Sequence, residues 1–463
     1  MDNQKRGSFA GSLGFVLAAA GSAVGLGNIW RFPYLAARDG GGLFLVIYLI
    51  LALTFGFSLM ITETSVGRMT KKSPLSAYKQ LRKGWGWLGV LGCVVPFMIM
   101  PYYSAIGGWV LKYFVVYATG HGAEAAQDGF FSGFITSPVE PIVYLILFLG
   151  ACAVVIFMGV EGGIERSSRI LMPILLILVI GIACFSLTVR STDAAGNVVT
   201  GLDGLRILLV PSLKGITLRK FFTIVMDALG QLFYSLSVAM GILIAYGSYV
   251  PDDANLAQSV SRIEIFDTLV AFLAGVMIIP AVYVFMGMEG MSTGPSLMFV
   301  SLPKVFLAMG PVGNVIGALF FAMVLFAAIT SAMSVMEAVV SSFIDEFHMK
   351  RSSATILEGI LALVIGIIVC LGYNKFYFEL PLPNGSIGQV LDILDYISNY
   401  ILMPVVTIGT CVLFGWVLGT DTITKEVTKN GESFARRPLV NLMVRYIAPV
   451  QLGILLLMSL GIL

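Results

Sequence analysis

The sequence predicts an all-α integral membrane protein, and three observations carry that reading. Of the 463 residues only 12% are charged, 58% are apolar, and the mean hydropathy is +0.93. Soluble domains carry about 25% charged residues, and so few ionic groups cannot cover a water-facing surface of this size. The apolar residues also run in eleven stretches, with cores near 13–36, 42–68, 88–118, 141–158, 169–189, 220–248, 265–288, 313–344, 354–372, 390–418 and 440–462. Each suits a membrane helix of about 20 residues, whereas a membrane β-barrel would alternate polarity over strands of about ten. Finally, the five cysteines, Cys93, Cys152, Cys184, Cys370 and Cys411, all lie inside these runs without CxxC spacing. They read as small core side chains, not a disulfide or zinc framework. The net charge of +2 offers no hold on nucleic acid.

The first run follows Lys5 and Arg6, and Ala18-Ala19-Ala20 resembles a signal-peptide cleavage site. Gly11, Ser12 and Gly14 interrupt its apolar core and the run continues past the cut, so it is expected to stay as a span. Between the second and third runs lie Arg68, Lys71, Lys72, Lys79, Arg82 and Lys83. The loops on the opposite side are poorer in basic residues, which puts the N-terminus in the cytoplasm. Runs one and six share an oddity at mid-length: Gly21-Ser22-Ala23-Val24-Gly25-Leu26-Gly27-Asn28 in one, Ser235-Leu236-Ser237-Val238-Ala239-Met240-Gly241 in the other. Each opens a group of five. The expected architecture is therefore a 5+5 inverted repeat with broken helices 1 and 6, repeat one at about 10–190 and repeat two at about 218–420, plus an extra helix at about 438–462.

Three glycines within seven residues weaken a helix by about 1 kcal/mol each relative to alanine. Backbone opened in hydrocarbon is tolerated only where it lines a buried cavity. There its carbonyls can hold a hard cation, and half-helix N-termini can hold a carboxylate. Glycines at close helix contacts are the plainer reading, but Asn28, Trp30 and Arg31 beside them are costly at that depth and favour a site.

The string GSAVGLGNIWRFPY, Gly21 through Tyr34, followed by Arg38-Asp39-Gly40-Gly41-Gly42, resembles the signature of the neurotransmitter:sodium symporters. Pro101-Tyr102-Tyr103, the stretch Gln231 through Ser237, and Ala327-Ala328-Ile329-Thr330-Ser331 extend the resemblance over spans 1, 3, 6 and 8. It implies sodium-coupled symport of an amino acid by a single transporter domain, with two sodium ions and no organic cofactor. The first ion would take the Ala23 carbonyl, Asn28, Ser235 and Asp267. The second would take carbonyls of Gly21, Val24 and Ala327 with the hydroxyls of Thr330 and Ser331. All these ligands are oxygens, as a hard cation requires. Asp267 stands where many relatives have Asn, and Ala271 where chloride-dependent relatives have Ser. Chloride independence is the resulting expectation, with Asp267 supplying the negative charge.

The same resemblance lines a substrate pocket with Ser22, Ala23, Leu26, Gly27, Ile99, Tyr103, Tyr234, Ser235, Ser237, Met240, Ser331 and Val335. Gly25 replaces the Asp of monoamine carriers, so the substrate should bring its own carboxylate. Ile99, Tyr234, Met240 and Val335 imply a hydrophobic or aromatic side chain. The outer gate would be Arg31 with Asp395, near Gln231; the inner gate Arg6 with Asp345, beside Phe9 and Tyr249. Glu63 is a buried carboxylate suited to hold unwound backbone, while Glu337 and Glu358 take no role. The resemblance also implies a plasma-membrane, multi-pass protein of bacterial type, with lipid as its surroundings and no protein partner evident. A non-transporting amino-acid sensor or an ion channel would use the same broken helices. An integral membrane enzyme has little to work with, since His121 and His348 are the only histidines and stand far apart.

Overall fold

A computed structural model describes residues 7–192, 196–212, 216–291 and 294–463. Among them, nine helices are long and apolar enough to cross a membrane: Gly42–Thr70, Gly86–Ala118, Glu140–Phe157, Val160–Thr188, Leu256–Met286, Pro311–Phe347, Arg351–Leu371, Val390–Val417 and Arg437–Ser459. These are spans 2 to 5 and 7 to 11. Two more are interrupted. Span 1 is Ser12–Ala23 and Gly27–Arg38, bent by 54°; span 6 is Leu218–Ser235 and Ile242–Tyr249. Side chains such as Ile177 (69% exposed) and Val154 (62% exposed) stand on the outside of the bundle, the inverse of a soluble protein and the face that lipid covers.

Span 7 begins at Leu256, nine residues before its apolar core. The extra turns carry Arg262, which is exposed, and Glu264, which receives Arg436 at 2.9 Å. Charge satisfied at the foot of a helix hides its start from a hydropathy reading. Short helices at Pro74–Leu81, Gly201–Leu209 and Leu297–Ala308 and two small hairpins join the spans.

The break in span 1 follows Ala23, where Val24 turns extended. The Gly25 amide then donates to the Asn28 side chain at 3.2 Å, which takes it away from the Gly21 carbonyl it would meet in a continuous helix. In span 6 the break runs from Leu236 to Gly241, with positive φ at Ser237 (54°), Ala239 (65°) and Gly241 (68°). Such conformations cost side-chain-bearing residues about 1–3 kcal/mol each. Cross-links hold them: the Ala239 amide donates to Glu63 at 2.8 Å, and the Ser237 hydroxyl bonds the Ser22 carbonyl at 3.2 Å. The two breaks are thus tied to each other and to span 2.

Span 2 also lies against the inner half of span 6. A methyl group on Gly67 would sit 2.0 Å from the Ile244 carbonyl oxygen, and one on Gly247 2.4 Å from that of Thr64. Gly67→Ala should therefore force the two helices apart and lower stability by about 1–3 kcal/mol, read as a fall in melting temperature. Below this contact Arg68 donates to the Ala254 carbonyl at 2.7 Å and pairs with Glu426 at 2.5 Å. Asp252 lies between Lys429 (2.7 Å) and Lys71 (3.0 Å), and hydrogen bonds from Lys429 and then Lys71 pull its carboxyl down to about 2. That contribution is present above a free aspartate's value of about 4 and disappears as pH falls towards 2. Asp252 is mostly exposed, so the contribution is small.

Candidate functional site

The two breaks face each other across a tight pocket with about 20 Å³ of free volume. All twelve residues expected around a substrate line it, together with Gly25 and Asn28. Ile99 and Tyr103 come from span 3, and Ser331 and Val335 from span 8, so four helices close the space. The Tyr103 hydroxyl is buried and has no hydrogen-bond partner among the described residues. It points at the break: a methyl group on Gly25 would lie 3.3 Å from it and 3.4 Å from Ser331 Oγ. A buried donor left over at the mouth of two opened helices is the mark of a polar ligand. Gly27 has its own reason, because a side chain there would meet the Tyr234 ring at 2.9 Å.

One side of the pocket is a knot of oxygens. Asp267, wholly buried, accepts from Asn28 Nδ2 at 2.8 Å and from the Ser235 hydroxyl at 2.8 Å, and Tyr48 reaches it at 3.4 Å. Ser235 Oγ is also 3.1 Å from Asn28 Oδ1. No cationic side chain pairs with Asp267 among the described residues, so its charge is unbalanced within the protein. Across the span 1 break, Thr330 donates to the carbonyls of Phe326 (3.0 Å) and Ala327 (3.1 Å). A hydroxyl used this way keeps its lone pairs free. Gly21 packs on it, since a methyl group there would lie 3.1 Å from Thr330 Cβ.

Above the pocket a wider cavity of about 280 Å³ opens, lined by Arg31, Asp227, Tyr234, Asn399 and Tyr400 among others. The expected Arg31–Asp395 pair is not closed there. Arg31 stands over the Tyr400 ring, 6.0 Å from its centroid, while Asp395 accepts from Asn399 at 2.6 Å. Each group has taken another neighbour, Asn399 for Asp395 and the Tyr400 ring for Arg31. Gln231 donates to the Gly27 carbonyl at 3.1 Å and so braces the span 1 break. At the opposite end, Phe9 is buried against Tyr246 and Tyr249 (ring centroids 5.6 and 6.2 Å), and its amide donates to the Tyr249 carbonyl at 3.1 Å. Asp345 accepts from the Ser73 amide at 2.6 Å, with Lys72 at 3.8 Å. Its expected partner Arg6 lies outside the described residues. Among the described residues this end is filled by packed side chains, while the wider cavity lies at the other.

The family model for the sodium:neurotransmitter symporter family matches residues 6–122 and 133–462. The chain belongs to that family. It is therefore a multi-pass sodium-dependent symporter, a transporter and not an enzyme. It is 33% identical over its whole length, and the whole of the relative, to an uncharacterized sodium-dependent transporter, YhdH, of Bacillus subtilis. Another such transporter, from Haemophilus influenzae, is 29% identical over 99% of both chains. Among solved structures, MhsT in complex with L-phenylalanine superposes with a TM-score of 0.85 at 33% identity, covering 98% of this chain and 100% of that one. The fold is that of MhsT, with spans 1 and 6 broken.

The symporter's packed end contains a cluster that sequence reasoning missed. Glu337, fully buried in span 8, accepts the Tyr249 hydroxyl at 2.6 Å and both Arg351 nitrogens at 2.8 Å. Arg351 also reaches the Ile156 carbonyl at 3.1 Å. One carboxylate thus ties the inner half of span 6 to spans 4, 8 and 9. Its signal was visible only as an unexplained acid in an apolar run. Glu337→Gln removes the charge from this bidentate contact. It should make a cysteine introduced beside Phe9 label several-fold faster from that side. Glu358 is as buried, and neither of its oxygens has a partner among the described residues.

Proposed function

We propose that this symporter imports hydrophobic amino acids, aromatic ones included, with two sodium ions and without chloride, by alternating access. The observation that carries the reading is the pocket between two opened helices, with an unsatisfied Tyr103 hydroxyl on one side and the uncompensated Asp267 on the other. A zwitterion answers both. Its carboxylate accepts from Tyr103 and the amides at the span 1 break, and the same carboxylate completes the shell of a sodium ion held by Ala23, Asn28, Ser235 and Asp267. A second ion sits among Gly21, Val24, Ala327, Thr330 and Ser331. The ammonium meets the carbonyls of the breaks. MhsT, solved with L-phenylalanine, supports an amino acid as substrate, and flexible Met240 beside Ile99 and Val335 gives the pocket an apolar wall that can adapt to a large side chain.

Alternating access follows from two inversely related halves, residues about 10–190 and about 218–420, moving around the pocket. Phe9, Tyr249, Asp345 and Arg6 close the inner end; Arg31 and Asp395 close the outer one over Tyr103 and Tyr234. The N-terminus is cytoplasmic. Two sodium ions supply roughly 7 kcal/mol at 100 mV and a tenfold gradient, enough for about a 10⁵-fold gradient of a zwitterion.

Uptake of labelled L-phenylalanine into proteoliposomes tests the reading. An inward sodium gradient should drive accumulation, and gluconate in place of chloride should leave it unchanged. Binding without sodium-driven accumulation or counterflow would instead favour a sensor. Tyr103→Phe should raise the KM about 10- to 100-fold, the worth of a hydrogen bond to a charged group, with a much smaller change in the maximal rate.

A further inference from the structure

The last span carries a charge that lies outside the pocket and the cavity above it. Arg445 stands eight residues into Arg437–Ser459, on the order of 12 Å along the helix from its basic foot. It belongs to an outer helix, only 28% buried along its apolar window. Among the described residues its guanidinium has no ion-pair or hydrogen-bond partner, and its Nε is buried and unsatisfied. Neighbours Leu442 (48% exposed) and Val450 (62% exposed) face the surrounding hydrocarbon. An unpaired guanidinium at such a place needs an anion.

The backbone around it is shaped for that. Arg445 sits in a π-helical turn, Met443–Ile447, facing a second one, Leu413–Val417, in span 10. Gly415 lets the two touch, since a methyl group there would lie 3.2 Å from Arg445 Cα. The Trp416 indole donates to the Arg445 carbonyl at 3.1 Å, and its ring meets Tyr446 edge-on at 5.5 Å. Both rings are more than half exposed. Tryptophan and tyrosine of this kind settle at headgroup depth, and an arginine below that level bends its head towards it.

We propose that Arg445, flanked by Trp416 and Tyr446, binds the phosphate of an anionic phospholipid in the leaflet next to the basic foot of its helix. Charge decides the occupant: the exposed face offers one unmatched cation amid apolar side chains, and a phospholipid supplies both the anion and the hydrocarbon. The site lies on spans 10 and 11, away from the pocket, so it stands whether or not the transport reading does.

Native mass spectrometry of the full chain, released from bilayers of equimolar phosphatidylglycerol and phosphatidylcholine, tests it. The wild type should retain phosphatidylglycerol about fivefold over phosphatidylcholine, the preference one arginine near the surface supplies. Arg445→Gln should lose that preference and Arg445→Lys keep part of it. Glycerol phosphate should not compete, which separates a lipid from a bare phosphate. A photoreactive phosphatidylglycerol should label the segment around Arg445 in the wild type, a readout that needs no variant to fold. Equal retention of the two lipids, an unchanged preference in Arg445→Gln, labelling confined to other segments, or a dimer lost in the variant with lipid unchanged would each overturn the proposal.

Discussion

Asp267→Asn should weaken sodium-dependent binding of the amino acid by roughly three orders of magnitude. The carboxylate is fully buried, it receives only neutral donors, and no cationic side chain among the described residues balances it. A sodium ion about 4 Å from such a charge gains about 4 kcal/mol at an effective dielectric constant of about 20, which corresponds to that loss. Asparagine keeps an oxygen for the ion and nearly the same volume, so the fold should persist and the melting temperature without sodium should rise or stay level. Removing an unbalanced buried charge is itself favourable. Ala271 lies one helical turn from Asp267 on the same face of span 7, and is buried. In the double variant with Ala271→Ser, external chloride can take the place of the lost carboxylate. Uptake should then return in chloride and vanish in gluconate. Chloride-dependent uptake by the unaltered protein would refute the role given to Asp267.

Glu63→Ala should abolish transport, and Glu63→Gln should retain much of it. Glu63 Oε1 receives the Ala239 amide at 2.8 Å, inside the stretch where Ser237 and Ala239 hold positive φ. Alanine leaves that amide buried and unpaired, at about 1–3 kcal/mol, and adds a cavity of about 2–5 kcal/mol, the range for large-to-alanine changes in cores. The strained stretch then keeps only the contact of Ser237 with Ser22 to hold it open. Glutamine keeps the accepting oxygen. The test is sodium-driven uptake alongside thermal stability. Equal loss in both variants would mean that the negative charge, not the acceptor, is what span 6 needs.

These residues show what a sequence exposes and what it hides. Hydrocarbon demands long apolar helices, so the spans were legible from composition alone. The break in span 1 was legible because glycine and polar residues are out of place in such a run. The break in span 6 was fainter: its positive φ values fall on Ser237 and Ala239 as well as Gly241, and the groups that hold them, Glu63 on span 2 and Ser22 on span 1, lie far away in the chain. The twelve pocket residues were reached through the motif resemblance. Their convergence depends on contacts as distant as Ser22 to Ser237, which no local pattern encodes. Glu337 escaped for the same reason, because its partners Tyr249 and Arg351 lie on other spans. The Arg31–Asp395 pair is not formed, because Arg31 lies over the Tyr400 ring and Asp395 is held by Asn399.

The proposed transport rests on the bared oxygens of spans 1 and 6 holding sodium against the carboxylate of an amino acid. A structure determined with sodium and L-phenylalanine should show a cation touching Asn28, Ser235 and Asp267, with the ligand's carboxylate between that cation and the Tyr103 hydroxyl. Phenylalanine bound elsewhere, or seated in the pocket with its carboxylate turned away and no cation beside Asp267, would contradict it.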